Sequence, residues 1–382
     1  MKIVVACDKY KGSLSANEVC NIIARSVKDI DNTIEVIVNP MADGGEGTVE
    51  TLVESSNGKY VEVKVMGPLG EEITARFGII HNNIAVIEMS AASGLWLVPY
   101  DKRNPMKTTT YGTGQLIKKA IEMNCKKIIL GLGGSATNDG GMGMAQALGV
   151  KFYDSSGNLL GTGNGSQLSK ISRIDMSGLD PAASDVIYEC ACDVENPLTG
   201  KNGAAYIYAG QKGADYNMIK ELNRGLINFA KVIKQELGKN IRDLKGAGAS
   251  GGLGGGMVAF LNARLRIGVN IIIDVTKLEE KIRNADLIIS GEGAFDKQTF
   301  FGKSAFGVAN LAKKYNIPVI TINGSVLVSR EMVRRSESNL FSGNFSILNK
   351  PMELSEAIEN ASELLENTSK ELINFYLKIK RK

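Results

Sequence analysis

Apolar residues along this chain come in two textures. Lys2–Cys7 (KIVVAC) is an unbroken apolar run, the pattern of a strand covered on both faces in a parallel sheet. Ser15 followed three residues later by Glu18 supplies a capping box, so a helix is predicted from there to about Val27. Glu35–Val38 predicts a second strand and residues 48–54 a second helix. This part of the chain therefore reads strand, loop, helix twice. Polar residues gather at the carboxyl ends of the strands, where open α/β sheets bind their ligands.

The texture changes near residue 60. Residues 61–65, 73–79 and 84–89 are short apolar runs separated by turns at 67–70 and 81–83, which predicts an antiparallel meander. Residues 115–123 predict a helix, 127–130 a strand and 144–148 a helix. Beyond them come a hairpin opening at 150–153, a strand at 187–192 and a long amphipathic helix at 217–237. The glycine-dense run 246–256 predicts a loop, with a helix at 257–263. From Asp286 the first texture returns: strands at 287–289 and 319–322, and helices at 305–315, 353–366 and 370–379. The expectation is an α/β protein of two domains. Residues 1–60 and 284–382 would form one parallel α/β domain, and 61–283 an inserted mixed α/β domain, with the active site in the cleft between them.

A length of 382 residues suits two domains. The net charge of +4 is weak, and no basic stripe interleaved with aromatics is present, which argues against a nucleic-acid partner. No apolar run reaches the roughly 18 residues that would span a bilayer, and the N-terminus has no signal-peptide pattern. The five cysteines show no CxxC spacing, and Cys190 and Cys192 would share one strand face. Reduced thiols in a cytoplasmic protein are therefore expected. One histidine, His81, excludes a His-based triad or a His-rich metal site.

The 43 glycines change the picture most. They cluster in loops, above all Gly131 to Gly143 (GLGGSATNDGGMG), which lies between a predicted strand and a predicted helix. Such a turn can aim backbone N–H groups at a phosphate, and its side chains Ser135, Thr137, Asn138 and Asp139 are small and polar. Gly131, Gly133 and Ala136 also fit GxGxxA, with Asp154 in reach of a ribose, so an NAD-dependent dehydrogenase is an alternative. That fingerprint, however, needs neither Asn138-Asp139 nor the second glycine pair. Phe301-Gly302-Lys303-Ser304 resembles the end of a P-loop, but Lys297 stands where its first glycine belongs. Asp43, Glu46, Asp139, Asp193, Glu292 and Asp296 all lie in polar or glycine turns after apolar strands. Acids beside glycine loops are what Mg²⁺-nucleotide chemistry requires. Lys11, Lys212 and Arg103 are candidate contacts for a phosphate or a carboxylate.

Taken in order, these loops resemble the glycerate kinase type-1 family. The matching stretches are Asp8-Lys9-Tyr10-Lys11-Gly12-Ser13-Leu14, Ala42-Asp43-Gly44-Gly45-Glu46-Gly47-Thr48, Gly67-Pro68-Leu69-Gly70, Ala92-Ser93-Gly94-Leu95, Arg103-Asn104-Pro105, Thr109-Thr110-Tyr111-Gly112-Thr113-Gly114, Gly133 through Gly141, Cys192-Asp193-Val194 with Asn196-Pro197-Leu198, Gln211-Lys212-Gly213-Ala214, and Gly291-Glu292-Gly293 with Asp296, Gln298-Thr299 and Gly302-Lys303. Cys7, Tyr10 and Ser250 depart from the usual pattern, but none is a loop acid. The resemblance implies a flavodoxin-like domain and an inserted one. It also implies ATP-dependent phosphorylation of D-glycerate, usually to 2-phosphoglycerate in bacterial members and in others to 3-phosphoglycerate. From their loop positions, Gly133, Gly134, Ser135, Asn138, Asp139, Glu292 and Lys303 are expected to hold the nucleotide phosphates. Asp193 and Asp296 are the expected Mg²⁺ ligands, Asp193 or Asp43 the proton acceptor, and Lys11, Arg103 or Lys212 the glycerate carboxylate clamp. A non-catalytic sensor of small organic acids remains a further alternative. A homodimer is compatible with the sequence but not specified by it.

Overall fold

The computed structural model describes residues 1–81, 83–329 and 340–380. By packing, the chain divides into two compact units, Met1–Asp43 with Val269–Lys382, and Gly44–Gly268.

The first unit is built on a five-stranded sheet in the order Gly343–Ser346, Val319–Asn323, Leu287–Gly291, Lys2–Cys7, Glu35–Val38. Every pairing is parallel. Counted along the chain the strand order is 2-1-3-4-5, the flavodoxin-like arrangement. The unbroken apolar runs are explained by this placement, since Ile3, Val5, Leu287 and Ile289 are fully or almost fully buried within one core. The helix Ala16–Ile30 starts where its sequence predicts. The Ser15 hydroxyl accepts from the Glu18 N–H, and the Glu18 carboxylate accepts from the Ser15 N–H at 2.8 Å. Its face of Val19, Ile23 and Val27 closes the core with Leu365 and Ile373 from the last helix, Ala361–Lys380. Burial of such side chains stabilises the unit by about 1.5–3 kcal/mol each.

The second unit contains a six-stranded mixed sheet in the order Arg264–Arg266, Ile187–Ala191, Lys127–Gly131, Ile84–Glu88, Glu72–Ile80, Lys59–Met66. The last three are the predicted antiparallel meander, and the others pair in parallel. In the 81–83 turn, Asn82 lies outside the described residues. A separate antiparallel pair joins Lys151–Tyr153 to Arg173–Asp175. Phe152, Phe229 and Phe260 meet in the core of this unit with ring centroids 5.8–6.3 Å apart.

The junctions between units fall earlier than residues 60 and 284, and local packing gives the reason. In helix Thr48–Ser55, Val49 and Val53 fill the space over Gly78 in the meander, and the Val49 N–H donates to Glu88 at 3.0 Å. At the other end, Asn39 donates to Thr276 and accepts from Lys281. Those bonds tie the helices Gly268–Val275 and Leu278–Ile282 to the first unit's strands.

The glycine-dense run also differs from expectation. Helix Ala249–Leu261 begins inside it, although Ser250, Gly251 and Gly252 are left-handed and break its regular course. At Gly251 (φ +68°) a Cβ would lie 2.0 Å from the Thr137 carbonyl oxygen. These glycines therefore allow helix and loop backbones to touch, and the later ones pack as helix. All five cysteines are free and buried.

Candidate active site

In the first unit the strand order reverses between Lys2–Cys7 and Leu287–Gly291, which pair with Cys7 opposite Gly291. The carboxyl ends of such a strand pair form the crevice where doubly wound sheets bind ligands. Asp8 leaves one strand there and Glu292 the other. Gly291 can close this corner only without a side chain, since a Cβ would lie 1.8 Å from the Ile322 carbonyl oxygen. A cavity of about 420 Å³ opens at this point. Its polar lining includes Asp8, Lys11, Asp43, Glu292 and Lys303, and its apolar lining comes mainly from residues 347–361.

Asp8 is half-buried and accepts hydrogen bonds from the Ser304 hydroxyl at 2.6 Å and the Lys9 N–H at 2.7 Å. Burial, and then the nearby Asp43 charge, push its carboxyl up to about 7 against the pull of those two bonds. Glu292 is buried and accepts from the Thr299 hydroxyl at 2.6 Å. Burial raises its pKa, opposed by the Thr299 bond and by Lys303, whose Nζ lies 3.4 Å from Oε2. Lys303 also lies 3.6 Å from Asp296. Asp296 forms a capping box with Thr299 at the start of the short helix Lys297–Phe301. Lys11 is exposed at the cavity lining. Ser304 opens helix Ser304–Lys313, and its hydroxyl serves Asp8; Lys303, the cap residue, makes no side-chain cap bond.

In the second unit the loop after strand Lys127–Gly131 has the expected strand–turn–helix layout, with Gly134, Gly140 and Gly141 at positive φ. Its helix, Met142–Ala147, is only six residues long. The anion at the start of that helix is the chain's own Asp139. This fully buried carboxylate accepts from the N–H groups of Thr110, Gly141 and Gly143 at 2.8–3.3 Å and from the Thr110 hydroxyl at 2.7 Å. Burial raises its pKa and these bonds oppose the rise. Asp139 thus fixes the loop to helix Tyr111–Glu122 rather than facing outward.

Lys212 is buried as well. Its Nζ donates to the Ser135 hydroxyl and the Thr137 carbonyl, both at 2.7 Å. Burial lowers its pKa to about 7, partly offset by Asp139. A lysine expected to meet substrate instead holds the loop from within. The Asn138 amide and the Thr137 hydroxyl are buried without a hydrogen-bond partner, and such orphaned groups cost about 1–3 kcal/mol each unless a ligand or water meets them. Gly133 has nothing closer than 3.8 Å to a built Cβ, so its backbone is approachable. Arg103 stacks 5.2 Å from the Tyr100 ring centroid and leaves a buried Nε unpartnered. Asp193 is exposed just beyond strand Ile187–Ala191, and one carboxylate oxygen accepts from the Gly268 N–H at 2.9 Å.

The site residues are therefore brought together in two groups: Asp8, Lys11, Asp43, Glu292, Asp296 and Lys303 in the first unit, and Ser135, Asn138, Asp139 and Lys212 around the glycine loop of the second. The pairing of Asp8 with Ser304 escapes sequence reasoning because 296 residues separate the partners. The signal that could have found Asp8 was its position directly after the first buried strand. The dinucleotide reading fares poorly: Asp154 accepts from Ser156, from both the backbone and the side-chain amide of Asn158 and so closes its own exposed hairpin turn. Among the described residues no group of three or more His, Cys, Asp and Glu side chains is arranged to hold a metal ion. Mg²⁺ that travels with a triphosphate needs only one or two carboxylates. Asp193 and the partly exposed Asp296 are accessible enough to serve in that way.

Fold and site together describe an α/β protein with carboxylates and lysines at a strand-order switch and a separate glycine loop, as a phosphotransferase requires. A sequence model of the glycerate kinase family matches residues 3–377, and the chain belongs to that family. It is 45% identical over 371 residues to a protein of Halalkalibacterium halodurans named glycerate kinase, covering 97% of each chain. It is 47% identical over 362 residues to one of Escherichia coli K12 named glycerate 2-kinase, covering 94% of each. A crystal structure of a Salmonella typhimurium LT2 protein proposed to be a glycerate kinase 2 superposes with a TM-score of 0.92 at 44% identity over the full length of both chains. No helix among the described residues is long and apolar enough to cross a membrane.

Proposed function

We propose that this protein transfers the γ-phosphoryl group of ATP to D-glycerate, at the 2-hydroxyl, giving 2-phospho-D-glycerate and ADP. The observation that carries the reading is the family match from residue 3 to residue 377. The regiochemistry rests on the relative named glycerate 2-kinase. The carboxylates and lysines of the site fit the needs of phosphoryl transfer, which is mainly positioning and charge neutralisation.

In this reading the Asp8–Asp43 pair takes up the proton of the attacking hydroxyl. Two adjacent carboxylates, one with its pKa raised to about 7, form a proton acceptor suited to neutral pH. Lys11 holds the glycerate carboxylate. Lys303, oriented by Glu292 and Asp296, meets phosphate oxygens; the backbone at Gly133 and Gly134, with the Asn138 amide, offers a separate set of groups suited to an anion. Asp139 and Lys212 keep that loop in shape from inside. Asp193 or Asp296 is the carboxylate that would hold Mg²⁺, which when bound neutralises developing phosphate charge. The test is ADP release by the purified protein supplied with ATP and Mg²⁺. Release that depends on D-glycerate and not on L-glycerate supports the assignment. No glycerate-dependent release above the background of ATP hydrolysis would sink it.

A further inference from the structure

The cavity at the switch point has a lining that divides by origin. Its charged residues come from loops after the first and third strands, with Asp43. Most of its apolar residues, Ile347, Leu348, Leu354, Ala357, Ile358 and Ala361, come from the segment that follows the fifth strand. The third and fifth strands are two places apart in the sheet, a separation of about 10 Å at the usual strand spacing. Three of these apolar side chains also lie in solvent: Leu354 is 75% exposed, Leu348 39% and Ile358 37%. Large apolar side chains gathered on one wall of a concave site of this volume mark where an apolar part of a ligand rests.

Glycerate offers nothing to such a wall, because each of its three carbons carries an oxygen. An adenine ring does, with two flat apolar faces. Triphosphate oxygens, in turn, suit Lys9 and Lys303 among the charged lining residues. We infer that the adenine base of the phosphoryl donor packs against Leu348, Leu354, Ala357 and Ile358, with its phosphates directed toward Lys9 and Lys303. The first unit then selects the donor through this wall. The inference rests on the kinase reading for the identity of the donor, but its location can be tested without turnover.

The test is isothermal titration of ADP into the full-length protein and two variants. Ala357→Trp fills the slot. Leu354→Ser removes an exposed contact at little cost to folding. Both should weaken ADP binding about tenfold, about 1.4 kcal/mol, while the affinity for pyrophosphate, which has no base, stays within about twofold of wild type. In the ATP-dependent reaction the KM for ATP should rise and that for D-glycerate stay put. Unchanged ADP affinity in both variants would overturn the inference, as would a rise in the KM for D-glycerate alone. Tight ADP binding weakened by both variants in a protein that never phosphorylates glycerate would instead contradict the proposed activity and leave the base site standing.

Discussion

Replacing Lys212 with methionine tests whether a buried cation-forming group braces the glycine loop. Methionine keeps most of the volume and removes the ammonium. The lysine is 2% exposed, and burial lowers its pKa from the ordinary 10.5 to about 7. Across that interval the unfolded chain binds a proton that the folded chain has released, so stability rises with pH and the gain is complete only above the unfolded value. Between about pH 7 and about pH 9.5 these two values give the wild type about 3 kcal/mol of added stability from this group. Methionine has no such slope. At neutral pH two effects oppose each other in the variant. The cost of the buried charge disappears, while the Ser135 hydroxyl and the Thr137 carbonyl each lose a partner at about 1–3 kcal/mol. At the higher pH only the second effect remains. Urea unfolding followed by circular dichroism should therefore show wild type and Lys212→Met close in stability near neutrality. The wild type should pull ahead by about 3 kcal/mol at the higher pH. Turnover of the variant should fall about 10- to 100-fold as the loop loses its anchor. Stability curves that stay parallel across this range would refute the picture of a desolvated Lys212.

Asp8 predicts an acid limb in kcat/KM near pH 7, because the carboxylate must be ionised to accept a proton and its pKa is raised to about 7. Ser304→Ala removes a bond that favours the ionised form and should move the limb up by about one pH unit. Asp8→Asn should abolish the limb with most of the activity, whereas a limb unmoved in Ser304→Ala would assign that ionisation to another group. Gly251→Ala places a Cβ 2.0 Å from the Thr137 carbonyl at a positive φ. The second unit should lose about 3 kcal/mol, seen as a fall in Tm of roughly 6–12 °C. An unchanged Tm would show that the helix and loop backbones do not meet there.

Much of the architecture was legible because burial on both faces leaves a simple mark. The runs KIVVAC and LIISG could be little other than central parallel strands, and Ser15 with Glu18 announced the first helix. Strand Gly343–Ser346 carries no such mark, since GNFS holds a single large apolar residue, Phe345, and it lies at the sheet edge. The run 246–256 misled for a different reason. Glycine disfavours helices by roughly 1 kcal/mol each, yet Gly254, Gly255 and Gly256 are helical, and at Gly254 and Gly256 neighbouring backbones leave no room for a side chain. The site was legible as a set of acid-bearing loops. Which acids face inward was not, because that depends on distant partners. Asp139 looked like a ligand and is held by Thr110. Lys212 looked like a surface clamp and is buried beneath Ser135. Asp8 carries no distinguishing signal in sequence beyond its place after the first strand, and Ser304 and Asp43 give it its character.

The central claim is phosphoryl transfer to glycerate, and ³¹P NMR of the purified protein with D-glycerate, ATP and Mg²⁺ tests it most directly. The account predicts loss of the ATP γ-phosphate signal and growth of 2-phosphoglycerate alongside ADP. A 3-phosphoglycerate signal would keep the kinase and overturn the assigned hydroxyl. ATP that stays intact, or that yields only inorganic phosphate, would contradict the account.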